Sequence, residues 1–261
     1  MPKIHSSAVI DPKAELANDI QIGPFCFIEA DVYVGEGSRL DSHVTLKNGT
    51  RMGKNNVVGH GAVLGSAPQD RKYNGEASLL EIGDNNAIHE YVTIHRGSGG
   101  QVTRIGDGCF LLSFCHLGHN VILGNNVTIG HGVGVSGHVI IDDYAHIGGM
   151  AGIHQFVHIG KAAMVGGMSR IVRDVPPFML VEGREQKIYD INAVGLRRLG
   201  FSSAARLALH RACKLMFRSE TGLSRAIESV QKEVEQTEEV VELVEFMQRL
   251  SLGKNGRAHQ R

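Results

Sequence analysis

The amino-acid sequence predicts a mainly β protein: a parallel β-helix of hexapeptide repeats, followed by a small C-terminal α-helical domain. Three observations carry this prediction. Aliphatic residues recur every six positions, glycine is abundant and concentrated just after them, and the beat ends before a segment whose apolar residues fall at helical spacing.

The beat starts at Ile4, Ile10 and Leu16 and continues to Leu64. It resumes at Ile82, Ile88 and Ile94, and runs again from Ile105 to Ile171, giving 26 matches. The next residue is often Gly, as at Gly23, Gly35, Gly106, Gly124 and Gly148. Four places on, the residue is small or β-branched, as at Ala8, Val44, Ala62, Val127 and Ala145. A fixed short period marks a solenoid whose repeats bury their apolar side chains only by stacking on neighbours. Each hexad supplies one short strand and one tight corner, and three hexads close a triangular coil. Coils then stack like paired strands, about 4.8 Å apart. The aliphatic and small residues point inward, and the Gly after the aliphatic is read as serving the sharp corner. Cys26, Cys109 and Cys115 fall on the small inward position and read as core filler, which argues against an acyl-cysteine intermediate.

The beat breaks at 65–81, "GSAPQDRKYNGEASLLE", and at 96–104, "RGSGGQVTR". Both breaks are polar, Gly-rich and carry Lys or Arg. Insertions leave a solenoid as loops on one face, often the binding face. Counting coils puts the second loop on the same edge as Leu117.

After Ile171 the Pro pair of "RDVPPFMLVEGREQ" is expected to end the solenoid, since proline donates no ladder bond. Residues 188–250 read as helices. Ser202 is a candidate N-cap, with Leu209, Ala212, Cys213, Met216 and Phe217 on one face. "LSRAIESVQKEVEQ" and "TEEVVELVEFMQRL" continue the pattern, and the last nine residues read as a frayed tail. The bundle would cover strand edges at the end of the prism. The domains are therefore 1–187, the β-helix with inserted loops at 65–81 and 96–104, and 188–261, the helical domain.

Lys plus Arg and Asp plus Glu number 27 each, so no global field selects nucleic acid or a membrane surface. No run approaches the roughly 20 apolar residues of a membrane helix. No secretory leader is visible, no CxxC pair exists, and a cytoplasmic location is expected. From 191 to 219 there are six Lys or Arg, plus His210, and no acid. That face is either solvated or a docking patch for an acidic partner or phosphate.

Seven of the 14 histidines fall in residues 116–160. Leu117, Val135 and Ile153 stand three hexads apart and so stack. His119, His138, His154 and Gln155 follow them, with His116 immediately before. These residues gather at one edge beside the polar loops. His131 belongs to another edge, while His146 and His158 fall at outward flat positions and read as surface residues. Such a cluster can hold a divalent ion through three imidazoles. It can also take a proton as a neutral base, with N–H groups of corners such as Gly137 holding an oxyanion. No P-loop, GxSxG elbow or HExxH is present, and no cofactor is expected.

The combination "IGPFC", "PQDRKYNGE", "VTIHRG", "GHN" followed by "VSGHV", "IHQF", "MVGG", "DVPPF" and "GLRRLGF" resembles the UDP-N-acetylglucosamine acyltransferases of lipid A assembly, over essentially the whole chain. The resemblance implies a left-handed coil and a homotrimer with active sites between subunits. It also implies transfer of an (R)-3-hydroxyacyl group from acyl carrier protein to the 3-hydroxyl of UDP-N-acetylglucosamine. By the same resemblance His119 is the base and Gly137 the oxyanion donor. Gln69, Asp70 and Lys72 meet the sugar and phosphates, and His95, His116, His138, His154 and Gln155 line the cleft. Asn192 and Arg198 contact the nucleotide, and Gly167 sits where acyl length is measured, leaving room for a long chain.

This sequence departs from the family pattern twice. Asn120 follows the base where Asp is usual, and an amide orients a ring without stabilising imidazolium as a carboxylate would. Leu199 replaces a further Arg, leaving phosphate binding to Arg197 and Arg198. Asn120 keeps a 3-amino sugar open as the acceptor. A metal-dependent hydratase of the carbonic anhydrase kind and a non-catalytic trimeric scaffold are the competing readings.

Overall fold

The computed structural model describes residues 2–218 and 222–252. The expected frayed tail, 253–261, lies outside the described residues. The chain winds into a three-sided prism whose faces are stacks of short parallel strands. Face 1 contains Lys3–Ile4, face 2 Val9–Ile10 and face 3 Glu15–Leu16, and the chain visits them in that order on each turn. Ile10 pairs with Ile28, and Leu117 pairs with Val135, which pairs with Ile153. The expected stacking of residues three hexads apart therefore holds wherever no loop intervenes.

The aliphatic column forms the core: Leu64, Ile94, Leu117 and Val135 are fully buried. Each such side chain contributes roughly 1.5–3 kcal/mol by leaving water. Ile4 is exposed and Ile10 and Leu16 only partly buried, because no described coil lies beneath the first one. Cys26, Cys109 and Cys115 are buried in the small inward positions, as expected.

The glycine after each aliphatic residue does something other than turn the corner. The left-handed backbone sits two residues later, at Phe25, His43, Tyr91, Asn120, His138 and Phe156, with φ from 56 to 64. Glycine at the earlier position is required by close approach between coils. A Cβ on Gly23 would stand 2.9 Å from Asp41 C, and one on Gly35 2.6 Å from Gly53 O. Asn and His adopt a left-handed φ more readily than most non-glycine residues, whereas Phe25, Tyr91 and Phe156 hold it because the stacked coils impose it.

Both loops occupy single corners. The first leaves after Val63–Ser66 on face 2 and returns at Leu79–Ile82 on face 3; the second leaves after Thr93–His95 and returns at Val102–Ile105. Their bases are narrower than the sequence suggests. Residues 79–82 and 102–105 extend as strands because they pair with each other, Leu79 with Val102 through Ile82 with Ile105.

The Pro pair does not end the solenoid. Val175 bridges Ile159 on face 3, and Met179–Glu182 adds a further parallel strand to face 1. Pro176 and Pro177 occupy the corner between them, where no ladder N–H is needed. Residues 188–191, expected as helical, instead belong to the strand Lys187–Ile191, antiparallel to Met179–Glu182. The helices follow: α1 (Ala193–Arg198), α2 (Ser203–Phe217), α3 (Leu223–Glu233) and α4 (Glu238–Ser251). Ser202 caps α2 as expected, accepting from Ala205 N–H. Its face of Leu209, Ala212, Cys213 and Met216 is buried, with Phe217 partly so. α4 packs on the prism: the Phe246 ring lies 5.1 Å from the His158 ring, and Lys161 pairs with Glu242 at 3.5 Å. His158, expected at the surface, is therefore partly covered, and it also bonds Asp142 at 2.8 Å. His146 is exposed, as expected.

Candidate active site

Both inserted loops and His119 emerge at the edge between faces 2 and 3. His119 follows the strand His116–Leu117, one coil beyond the second loop. Strand alternation turns Leu117 inward, and the corner carries His119 and Asn120 out to the edge.

His119 Nδ1 lies 2.6 Å from Asn120 Oδ1. Backbone groups settle which way that amide points. Ser98 N–H donates to Asn120 Oδ1 at 3.1 Å, and Ser98 C=O accepts from Asn120 Nδ2 at 3.1 Å. A backbone N–H can only donate and a carbonyl can only accept. Oδ1 therefore faces the ring, Nδ1 carries the proton, and Nε2 keeps its lone pair. Asn120 is buried, and its own N–H donates to Thr103 Oγ1 at 2.8 Å. Gln101 Oε1 accepts the remaining Asn120 Nδ2 hydrogen at 2.6 Å.

Neighbouring imidazoles repeat the pattern. His95 Nδ1 donates to Ala67 O at 2.6 Å and His154 Nδ1 to Gln155 O at 3.1 Å, while His116 Nδ1 bonds Thr93 Oγ1 at 2.8 Å. The His119 and His138 rings meet edge to face at 5.1 Å, and His138 stacks on Phe156 at 4.6 Å. Burial pushes the His116 imidazole below its usual pKa, with His95 adding to it. Burial also lowers His138, followed by the nearby His119. Asp70 is held below the usual carboxylate range by bonds from Lys72 N–H at 3.0 Å and Ser98 Oγ at 2.8 Å. The first loop thereby presents an anion beside the histidines.

Gly137 is required by the His119 ring, since a Cβ there would lie 2.8 Å from His119 Cε1 and Nε2. Its neighbours make the ladder bonds, Ser136 N–H to Ile153 O and His138 N–H to His119 O. Among the described residues the Gly137 N–H has no backbone partner. A cleft of about 530 Å³ opens here, lined by Gln69, His116, His119, Gly137, His154 and Gln155 among others. Gly134 and Gly152 hollow its floor on face 2, since a Cβ on either would meet nothing within 4 Å. A larger hollow of about 1180 Å³, between the helices and the end of the prism, contains none of the candidate residues.

Three candidate residues lie elsewhere. Gly167 stands at the edge between faces 1 and 2, just past the strand Met164–Val165. Asn192 caps α1 by accepting from Gly195 N–H at 3.1 Å and donates to Ala162 O at 3.0 Å, so most of its amide serves the fold. Arg198 lies near His146, on face 1; although the His146 residue is exposed as a whole, partial desolvation of its ring, followed by the Arg198 charge, holds that imidazole below its usual pKa. In the basic segment, Asp190 just before it bonds His210 at 2.7 Å and lies 3.5 Å from Arg218. Sequence reading missed Ser98, Gln101 and Thr103, flagged only as parts of a loop. The one available signal was that this loop leaves from the His119 edge.

Cysteine chemistry finds no support, because burial raises the Cys109 thiol to about 11 and the Cys115 thiol to about 12. Among the described residues no three His, Cys, Asp or Glu side chains are placed to hold a metal ion, and no helix is long and apolar enough to cross a membrane.

Known proteins resemble the chain across this whole arrangement. The family described as Udp N-acetylglucosamine O-acyltransferase, Domain 2, matches residues 174–256, and the bacterial transferase hexapeptide family matches 103–137. A curated relative from Thermodesulfovibrio yellowstonii, named acyl-(acyl-carrier-protein)–UDP-N-acetylglucosamine O-acyltransferase, is 43% identical over 95% of this chain and 97% of its own. The solved UDP-N-acetylglucosamine acyltransferase of Bacteroides fragilis superposes with a TM-score of 0.91 at 36% identity, covering 93% of this chain and 96% of that one. That of Francisella novicida gives 0.88 at 34% identity, over 93% and 90%. The expected left-handed β-helix with a helical appendix agrees with these neighbours.

Proposed function

This chain belongs to the UDP-N-acetylglucosamine O-acyltransferase family, and from that premise we propose how its residues carry out the reaction. The enzyme transfers an (R)-3-hydroxyacyl chain from acyl carrier protein to the 3-hydroxyl of UDP-N-acetylglucosamine, the first step of lipid A biosynthesis. The relatives are named for O-acylation, which favours a hydroxyl over an amine as acceptor.

The observation that carries the assignment of roles is the His119 ring, with Nδ1 tied to Asn120 and Nε2 open at the cleft. Nε2 takes the proton of the sugar hydroxyl as its oxygen forms a bond to the thioester carbonyl carbon. The carbonyl becomes an oxyanion, held by the Gly137 N–H. The C–S bond then breaks, and the imidazolium returns its proton to the departing thiol. Gln69, Asp70 and Lys72 meet the sugar and phosphates from the first loop. His116, His154 and Gln155 line the pocket, with His95 packed against His116 and His138 against His119.

The enzyme works as a homotrimer, and a neighbouring subunit supplies Arg198, α1 with its cap Asn192, and Gly167, the acyl-length position. Two observations support this. These residues lie away from the His119 edge within one chain, and the edge between faces 1 and 2 is an unusual apolar stripe. Phe25, Phe114 and Met150 are exposed there by 60, 57 and 60%. An exposed apolar run of that kind marks an association surface. The buried free cysteines support a reducing, cytoplasmic setting.

The test offers UDP-N-acetylglucosamine and its 3-amino analogue with a ladder of hydroxyacyl carrier proteins, and identifies products by mass. Ester formation on the natural sugar supports the reading. Product only from the amino sugar, or none from either, contradicts it.

A further inference from the structure

Resting on the assignment of His119 as the base, we infer that Gln101 is a positioning residue that sets the tautomer of His119 through the Asn120 amide. Asn120 Nδ2 has two hydrogens. One goes to Ser98 O at 3.1 Å, and the other to Gln101 Oε1 at 2.6 Å. The opposite side of the amide is equally full, since Oδ1 accepts from Ser98 N–H at 3.1 Å and from His119 Nδ1 at 2.6 Å. Every hydrogen of the amide thus has one partner, and its orientation follows. A rotated amide would aim Nδ2 at two donors and Oδ1 at two acceptors.

At its glycines the loop is tied by Gly99 N–H, which donates to Glu76 Oε1 at 2.8 Å. Ser98 and Gln101 are separated by Gly99 and Gly100, both with positive φ, 66 and 70. Two such glycines make a segment that loses much entropy on ordering. The side chain of Gln101 anchors it to Asn120, and its N–H donates to Ser98 O at 3.3 Å, closing the turn. Ser98 Oγ then reaches Asp70 on the first loop at 2.8 Å. Gln101 is exposed and packs into no core. Without it, one hydrogen of a buried amide loses its partner, and the ring is free to exchange its proton to Nε2, the form that cannot act as a base.

The experiment measures kcat and KM for both substrates in Gln101→Ala, Gln101→Glu and His119→Ala, with side-chain nitrogen NMR of His119 in the first two and in wild type. Gln101→Ala should lower kcat on the order of 10-fold while leaving KM nearly unchanged, as a base held in the wrong form requires. The two ring nitrogen shifts should move toward each other. Gln101→Glu, which keeps an acceptor oxygen at the same reach, should restore most of both. Wild-type kcat with an unmoved ring spectrum in Gln101→Ala overturns the inference, and so does a loss confined to KM. If His119→Ala is inactive in that case, the base assignment stands and only the role of Gln101 falls. If His119→Ala keeps full turnover, the base assignment fails and takes this inference with it.

Discussion

His119 and Asn120 are joined by a 2.6 Å hydrogen bond from the ring Nδ1 to the amide Oδ1, and the amide nitrogen faces the Ser98 carbonyl, where a carboxylate would find no donor. Both groups facing its nitrogen, Ser98 O and Gln101 Oε1, are acceptors. Asn120 therefore orients the base without itself adding a negative charge to it.

Asn120→Asp should accordingly weaken the protein despite its small size. A carboxylate oxygen would face the Ser98 carbonyl with no hydrogen between them, at a cost of roughly 1–3 kcal/mol. Gln101 can turn its amide to compensate, but a backbone carbonyl cannot. Thermal unfolding should show a lower Tm. The acid limb of the pH–rate profile should move to higher pH, because a carboxylate stabilises imidazolium. An unchanged Tm and profile would show that the pocket does not discriminate.

Gly137→Ala tests the close approach of the corner to the ring. The added methyl would fall 2.8 Å from His119 Nε2 and displace it. Displacements near 1 Å cost on the order of 10²-fold in rate. The expected result is a loss of kcat of about that size, with circular dichroism close to wild type.

Acid should destabilise the protein before its carboxylates titrate. His116 and His138 are held below the ordinary imidazole value of 6.5, mainly by burial. Each binds fewer protons folded than unfolded, so stability rises with pH up to the unfolded value and is lost as pH falls below it. Asp70, Glu76 and Glu90, lowered by hydrogen bonds, withdraw their contributions only further down, below the unfolded carboxylate values near 4. Tm should drop from about pH 7 to about pH 5, and His116→Gln should reduce that drop.

The apolar edge should hold subunits together. Phe114→Asp with Met150→Asp places charges in a stripe where Tyr91 stacks on Phe114 at 5.1 Å. Light scattering should report three chains for wild type and one for the variant, with the loss of activity expected of a site divided between subunits. Retention of the trimer would move the interface to another face.

The prism was legible because its cause is periodic. One aliphatic residue in six, repeated over many coils, leaves a single way to bury Leu117 under Val135 and Val135 under Ile153. The His119 edge followed from the same count. The details that escaped are non-periodic. Nothing in "GSGGQ" announces that Gln101 reaches Asn120 across 19 residues, because the contact depends on where two glycines send the loop. The role of glycine was misplaced for a related reason. Sequence shows which residues recur but not whether a bare Cα serves a turn or a close approach, and here the turn falls to residues such as Asn120 and His138. The Pro pair misled because proline forbids a ladder bond but permits a corner. The strand at 187–191 was hidden by the helical pattern beyond it.

The most direct measurement is single-turnover acyl transfer by His119→Ala, with wild-type and variant folding compared under the same conditions. If the ring is the base, turnover falls by a factor on the order of 10² to 10⁴ while binding of UDP-N-acetylglucosamine and thermal stability are retained. Acyl transfer at the wild-type rate in that variant would contradict the assignment and leave only the prism and its family membership standing.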